Sequence, residues 1–174
     1  MKKSQLDHVL RAARRITQSD QFIVIGSQSL HARYPDLPDE LCISVEVDLI
    51  ARNARERTEW LNAIGASSPF HESFGYYADP VDERTAVLPK GWKSRLVRLP
   101  PGDTDGAIGL CLDPHDLAIS KYVARRDKDI VVTRELARRR LLEKKRLLEL
   151  LDTTPVDEAS RTRIRGYIES DYAA

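Results

Sequence analysis

The sequence predicts a mixed α/β (α+β) fold with a C-terminal helical segment, and three observations carry that prediction. An apolar, β-branched run from Phe22 to Ile25 stops at Gly26. A second run, "LCISVEVDLIA" over 41–51, alternates apolar and polar residues. From Asp113 onward the patterning turns to charged, amphipathic helix. Strands of differing pattern beside helices argue for a mixed sheet rather than a doubly wound parallel one. The expected division is an α/β core over 1–112 and a helical segment over 113–174, packed on the core.

Taken in order, Ser4 to Asp7 suggests a capping box that opens a helix carrying Leu6, Val9, Leu10, Ala13 and Ile16 at helical spacing. Gln21–Ile25 is predicted as a buried strand. "SQSLHARYP" then makes one or two helical turns that stop at Pro35. In 41–51, Ile43, Val45, Val47 and Leu49 point one way, and Ser44, Glu46 and Asp48 the other. Asn53 with Glu56 and Gly65 brackets a helix. The stretch 67–91 is irregular, with a short strand at Tyr76-Tyr77. "WKSRLVRL" and "AIGLCL" are two further strands, parted by the turn "PPGDTDG".

Asp113-Pro114-His115-Asp116 has a capping acid followed by proline at the first helical position. A helix is expected from there towards Asp129. "TRELARRRLLEKKRLLELL" predicts one helix with Ala137, Leu141, Leu148 and Leu151 on a stripe. Thr154-Pro155 repeats the start signal for a last helix bearing Ile164, Tyr167 and Ile168.

Composition excludes more than it selects. Lys and Arg number 28 against 27 Asp and Glu, so net charge gives no sign of nucleic acid. The two cysteines, Cys42 and Cys111, lie in apolar runs without a CxxC or Cys/His cluster. They are expected as buried thiols, in keeping with a cytoplasmic protein. The first residues lack the apolar core of a signal peptide. No apolar run approaches the roughly 20 residues that span a bilayer, so no membrane partner is expected.

Glu46 and Asp48 carry the clearest chemistry. Acids at i and i+2 on a strand share a face, about 7 Å apart at the backbone. Such a pair converges on one or two Mg²⁺ ions, which favour hard oxygen ligands and complete their shell with water and phosphate oxygens. The plain alternative is a solvated polar strand face. Gly26, directly after a strand, permits close backbone approach, and Ser27 adds a hydroxyl for a phosphate oxygen. In "SKYVARRDKDI", Lys121, Arg125 and Lys128 fall on one helical face with Asp129 beside it. That row suits a triphosphate or RNA backbone, or else a solvated face with internal ion pairs. His115 is taken as a first-turn polar residue, His8, His31 and His71 as surface residues, and Trp60 and Trp92 as core.

Together, "VIGS" (24–27) and "VEVDL" (45–49) resemble the signature of the nucleotidyltransferase (DNA polymerase β-like) superfamily. Three longer segments, "IGSQSLHARYPDLPDELCISVEVDL", "FGYYADPVDERTAVLPKGWKSRLVRL" and "DLAISKYVARRDKDI", are similar to a small bacterial nucleotidyltransferase-like family. That family is related to the AbiEii-type toxins of type IV toxin–antitoxin systems. The resemblance spans roughly 5–135. It implies transfer of a nucleoside monophosphate from an NTP to a hydroxyl, such as that of RNA or tRNA, with Mg²⁺ as cofactor. By that analogy Gly26 and Ser27 seat the phosphates, and Glu46 and Asp48 hold the metal. Lys121, with Arg126, Lys128 or Asp129, serves the nucleotide. Asp79 is the choice for a third carboxylate, with Asp82 and Glu83 behind it.

Two departures from the superfamily pattern stand out. Ser27 and Glu46 are 19 positions apart, longer than usual, and the first acid is Glu where Asp is common. The alternatives are a degenerate transferase fold that binds a protein or RNA partner, or a structural domain. A cognate antitoxin is a further possible partner.

Overall fold

The computed structural model describes residues 1–34 and 36–173. The chain forms two compact units. One takes Met1–Thr85 and Leu96–Leu112; the other takes Ala86–Arg95 and the residues from Asp113 onward.

The first unit is built on a five-stranded mixed sheet. Its strands are β1 (Gln21–Val24), β2 (Glu46–Ala51), β3 (Tyr77–Pro80), β4 (Val97–Arg98) and β5 (Ile108–Cys111), in the order β3-β2-β1-β5-β4. β1 runs antiparallel to β2 and parallel to β5, while β2 runs parallel to β3. The chain between β2 and β3 makes the crossover that a parallel pair requires. Helix α1 (Lys3–Thr17) buries Leu6, Val9, Leu10 and Ala13 in one cluster with Phe22, Val24, Val47, Leu49 and Cys111. Val47 and Leu49 are wholly buried, which stabilises by about 1.5–3 kcal/mol each. Alternation therefore turns Glu46 and Asp48 to the opposite face of the sheet.

Several elements differ from expectation. The cap of α1 is Lys2, two residues before the predicted one: Gln5 Oε1 accepts from the Lys2 N–H at 2.8 Å, and Asp7 pairs with Lys3. The turn after Gly26 is a 3-10 helix, Ser27–Ala32; its expected stop at Pro35 lies outside the described residues. The strand predicted over 41–51 begins only at Glu46. Ile43 and Val45 are 58% and 49% exposed, not core. The backbone before Glu46 is already engaged, since the Cys42 N–H turns back to Asp39 O and the Ser44 carbonyl accepts from Gln28 Nε2.

The helix predicted after Asn53 is a 3-10 helix, Arg55–Ile64, which Asn53 does not cap. Asn53 Nδ2 donates to Asp20 instead. Trp60, predicted as core, is 51% exposed under the Arg57 guanidinium, and Trp92 is only half-buried. Helix α2 (Pro69–Phe74) occupies part of the stretch expected to be irregular, capped by Ser68. Residues Trp92–Arg95, expected as strand, form a 3-10 turn. His31 is buried rather than superficial, and burial lowers its pKa. His8 packs among Phe70, Phe74 and Tyr76.

The second unit is helical. Asp113 caps α3 (Pro114–Ala124) as predicted, accepting from the His115 N–H. α3 ends at Arg125, whose φ of 51° is left-handed, and α4 (Asp127–Arg138) starts anew. α4 closes with a paired hydrogen-bond motif, Arg140 N–H to Ala137 O and Leu141 N–H to Leu136 O, with Arg140 at φ 52°. α5 (Lys144–Asp152) is a separate helix, so the predicted single stripe from Ala137 to Leu151 is broken. α6 (Glu158–Asp171) is capped by Asp157, not Thr154. Segment 86–95 belongs to this unit: Arg95 makes a two-pronged ion pair with fully buried Asp116, and Lys90 N–H donates to Thr153 O.

Candidate functional site

The end of β1 and the start of β2 lie side by side. Ile25 N–H donates to Asp48 O at 3.1 Å, which carries the β1–β2 pairing up to Gly26. Two 3-10 turns, Ser27–Ala32 and Asp39–Leu41, lie within the 19 positions from Ser27 to Glu46. That spacing leaves the strand ends adjacent.

Gly26 is fixed by space, not by backbone angle. Its φ is −70°, open to any residue, but a β-carbon there would lie 2.1 Å from Asp48 Oδ2. The Asp48 carboxylate thus rests against bare backbone at the strand end. Ser27, the next residue, is half-buried.

Asp79 enters from β3. The β2–β3 register pairs Glu46 with Tyr77 and Asp48 with Asp79. Paired residues of parallel strands project to the same face, so Glu46, Asp48 and Asp79 share one side of the sheet. Asp79 also borders a cleft of about 470 Å³, lined further by Ile50, Arg55, Thr58 and Asn62. Asp82 and Glu83 line the same cleft, and Glu83 pairs with Arg55.

Tyr77 responds to this concentration of negative charge. Its hydroxyl donates to Glu46 Oε2 at 3.2 Å, and its ring lies 4.6 Å from that of His71. Burial, then the charges of Glu46, Asp79 and Asp48, hold the phenol above its ordinary pKa. Tyr77 thus stays a hydrogen-bond donor at neutral pH. The sequence marked this position only as strand; its role follows from the register.

Among the described residues, no group of three or more His, Cys, Asp or Glu side chains is placed to hold a metal ion by itself. The donor set at Glu46 and Asp48 nonetheless fits Mg²⁺, which takes one or two carboxylates and draws its other ligands from water and phosphate.

Lys121, Arg126 and Asp129 come together within the helical unit. Lys121 Nζ lies 3.0 Å from Asp129 Oδ1, and Arg126 Nε lies 2.7 Å from Oδ2, with Asp129 fully buried. The expected single row of Lys121, Arg125 and Lys128 does not exist, because the helix breaks between them. Arg125 turns over the Tyr167 ring at 3.9 Å, and Lys128 is exposed in the first turn of α4. His115 accepts from the Glu143 N–H through Nε2, a structural contact.

The family described as "nucleotidyltransferase of unknown function" (DUF6036) matches residues 4–166. The chain belongs to that family. No curated protein and no solved structure matches it. The DUF6036 match takes in every residue of the shared sheet face, from Gly26 to Asp79, and the Lys121–Asp129 network as well. Among the described residues of this nucleotidyltransferase-family chain, no helix is long and apolar enough to cross a membrane.

Proposed function

We propose that the chain transfers a nucleoside monophosphate from an NTP to an acceptor hydroxyl, with Mg²⁺ as cofactor. One observation carries this reading. The β2–β3 register puts Glu46, Asp48 and Asp79 on one sheet face, and Asp48 lies tight against Gly26, which Ser27 follows.

The reaction forms a bond from the acceptor oxygen to the α-phosphorus and breaks the bond to the β-phosphate, releasing pyrophosphate. Gly26 and Ser27 seat the phosphates through backbone N–H and hydroxyl. Glu46 and Asp48 would hold Mg²⁺, which supplies charge neutralisation for the reacting phosphate oxygens. Asp79 receives the proton of the acceptor hydroxyl, which enters through the cleft it borders. The position of Asp79 on the same sheet face, in register with Asp48, supports the reading of it as the third acid and so an active transferase over a degenerate binding module.

The resemblance to AbiEii-type toxins suggests RNA such as tRNA as acceptor and a toxin's role opposite a cognate antitoxin. Lys121 and Arg126 are both ion-paired with Asp129 within the helical unit, and the transfer site lies in the sheet residues.

The test is titration of each NTP, with and without Mg²⁺, against wild type and Asp48→Ala, followed by transfer from α-phosphate-labelled NTP to RNA. Wild type should bind nucleotide in a Mg²⁺-dependent way, and Asp48→Ala should not. If wild type binds neither nucleotide nor metal, the transferase reading fails.

A further inference from the structure

We infer that Tyr77 is a positioning residue for the first carboxylate, fixing Glu46 in the arrangement that takes the cation. The inference rests on the transferase reading above and adds to it the residue that makes glutamate workable at position 46.

A glutamate carries one more rotatable bond than an aspartate, and ordering it costs more side-chain entropy. On an open sheet face its carboxylate would sample several rotamers. Here the β2–β3 register places Tyr77 opposite Glu46, and the phenol hydroxyl donates to Oε2 at 3.2 Å. The tyrosine is itself held. Its ring packs at 4.6 Å against His71, and His71 Nδ1 accepts from the Ser67 N–H at 3.1 Å. The hydrogen bond holds Oε2 and with it fixes the plane in which the carboxylate meets a cation. Hydrogen-bond donors behind metal-binding carboxylates act in this way, and their loss typically costs about 10- to 100-fold in metal affinity. An aspartate at 46 would be too short to keep both the tyrosine contact and the same reach.

The experiment measures Mn²⁺ binding by electron paramagnetic resonance, with the full chain and no turnover. It compares wild type, Tyr77→Phe, Glu46→Asp, the double variant and Asp48→Ala. Thermal melts confirm that each is folded. Tyr77→Phe should weaken Mn²⁺ by about ten-fold or more. In the Glu46→Asp background the same change should have little further effect, because the shorter acid has lost the hydroxyl. An effect of Tyr77→Phe that is equal in both backgrounds marks a merely structural role and overturns the inference. So does wild-type affinity in Tyr77→Phe, while Asp48→Ala still loses the ion and the transferase reading stands. If wild type itself binds neither Mn²⁺ nor NTP, both readings fall together.

Discussion

Gly26 backs directly onto the Asp48 carboxylate: a β-carbon on Gly26 would sit 2.1 Å from Asp48 Oδ2. The Asp48 backbone is held mid-ladder, its carbonyl bonded to Ile25, so the end of the side chain is the part that must move. Gly26→Ala should therefore push the carboxylate out of place. We predict a stability loss of about 1–3 kcal/mol from overpacking. We also predict a loss of Mg²⁺-dependent nucleotide binding or turnover on the order of 100-fold, as displacements near 1 Å can produce. Wild-type nucleotide affinity in a folded Gly26→Ala protein would remove Asp48 from the site.

Asp79 tests the chemical half of the proposal. It stands in register with Asp48 but one strand further out, at the edge of the cleft. A group that accepts the acceptor's proton acts only as the reaction proceeds. Asp79→Asn should lower kcat by about 10²- to 10⁴-fold and leave nucleotide affinity near wild type. Equal loss of affinity and rate would assign Asp79 to ground-state binding instead.

The Arg95–Asp116 pair ties segment 86–95 to α3. Asp116 is fully buried and takes two hydrogen bonds from Arg95, at 2.7 and 2.9 Å. That bond to Asp116 also raises the pKa of the guanidinium. Arg95→Ala leaves a buried carboxylate unpaired, a loss of about 3–5 kcal/mol. Limited proteolysis should then cut within 86–95 faster than in wild type. Replacing Arg95 and Asp116 together with apolar residues should recover part of the stability, since the cost lies in the orphaned charge.

Much of this organisation was legible in the residues. The apolar run before Gly26, the alternation over Val47 and Leu49, and the Asp113-Pro114 start are local signals that the structure keeps. Part of what failed has one cause. α3 and α4 each end on a left-handed residue that is not glycine, Arg125 and Arg140. Without the glycine that usually marks such a cap, the helical pattern runs on past its true end, and Lys121 and Lys128 seem to share a face. The aromatic content of the site was hidden for another reason. Tyr77 meets Glu46 only through strand register, which periodicity does not encode. Ile43 and Val45 fit an alternating strand, but backbone partners elsewhere decided against it.

Asp129 carries the last prediction. Burial alone would raise its pKa, but the bonds from Arg126 and Lys121 outweigh that and hold it below the ordinary range. A carboxylate with a depressed folded pKa adds stability that is fully present above its unfolded value, near 3.9, and is lost as pH falls through the lower folded value. The thermal stability of wild type should therefore exceed that of Asp129→Asn by a constant margin from neutral pH down to about pH 5. Below about pH 4 the margin should shrink. Lys121→Met removes one of the two cations from a wholly buried acid. Because Arg126 remains, the loss should fall near the lower end of the roughly 3–5 kcal/mol seen when buried pairs are broken. Urea unfolding at neutral pH measures it. Unchanged stability in Lys121→Met would show that the lysine is not needed to hold Asp129 and would return it to the nucleotide-binding role that the resemblance implies.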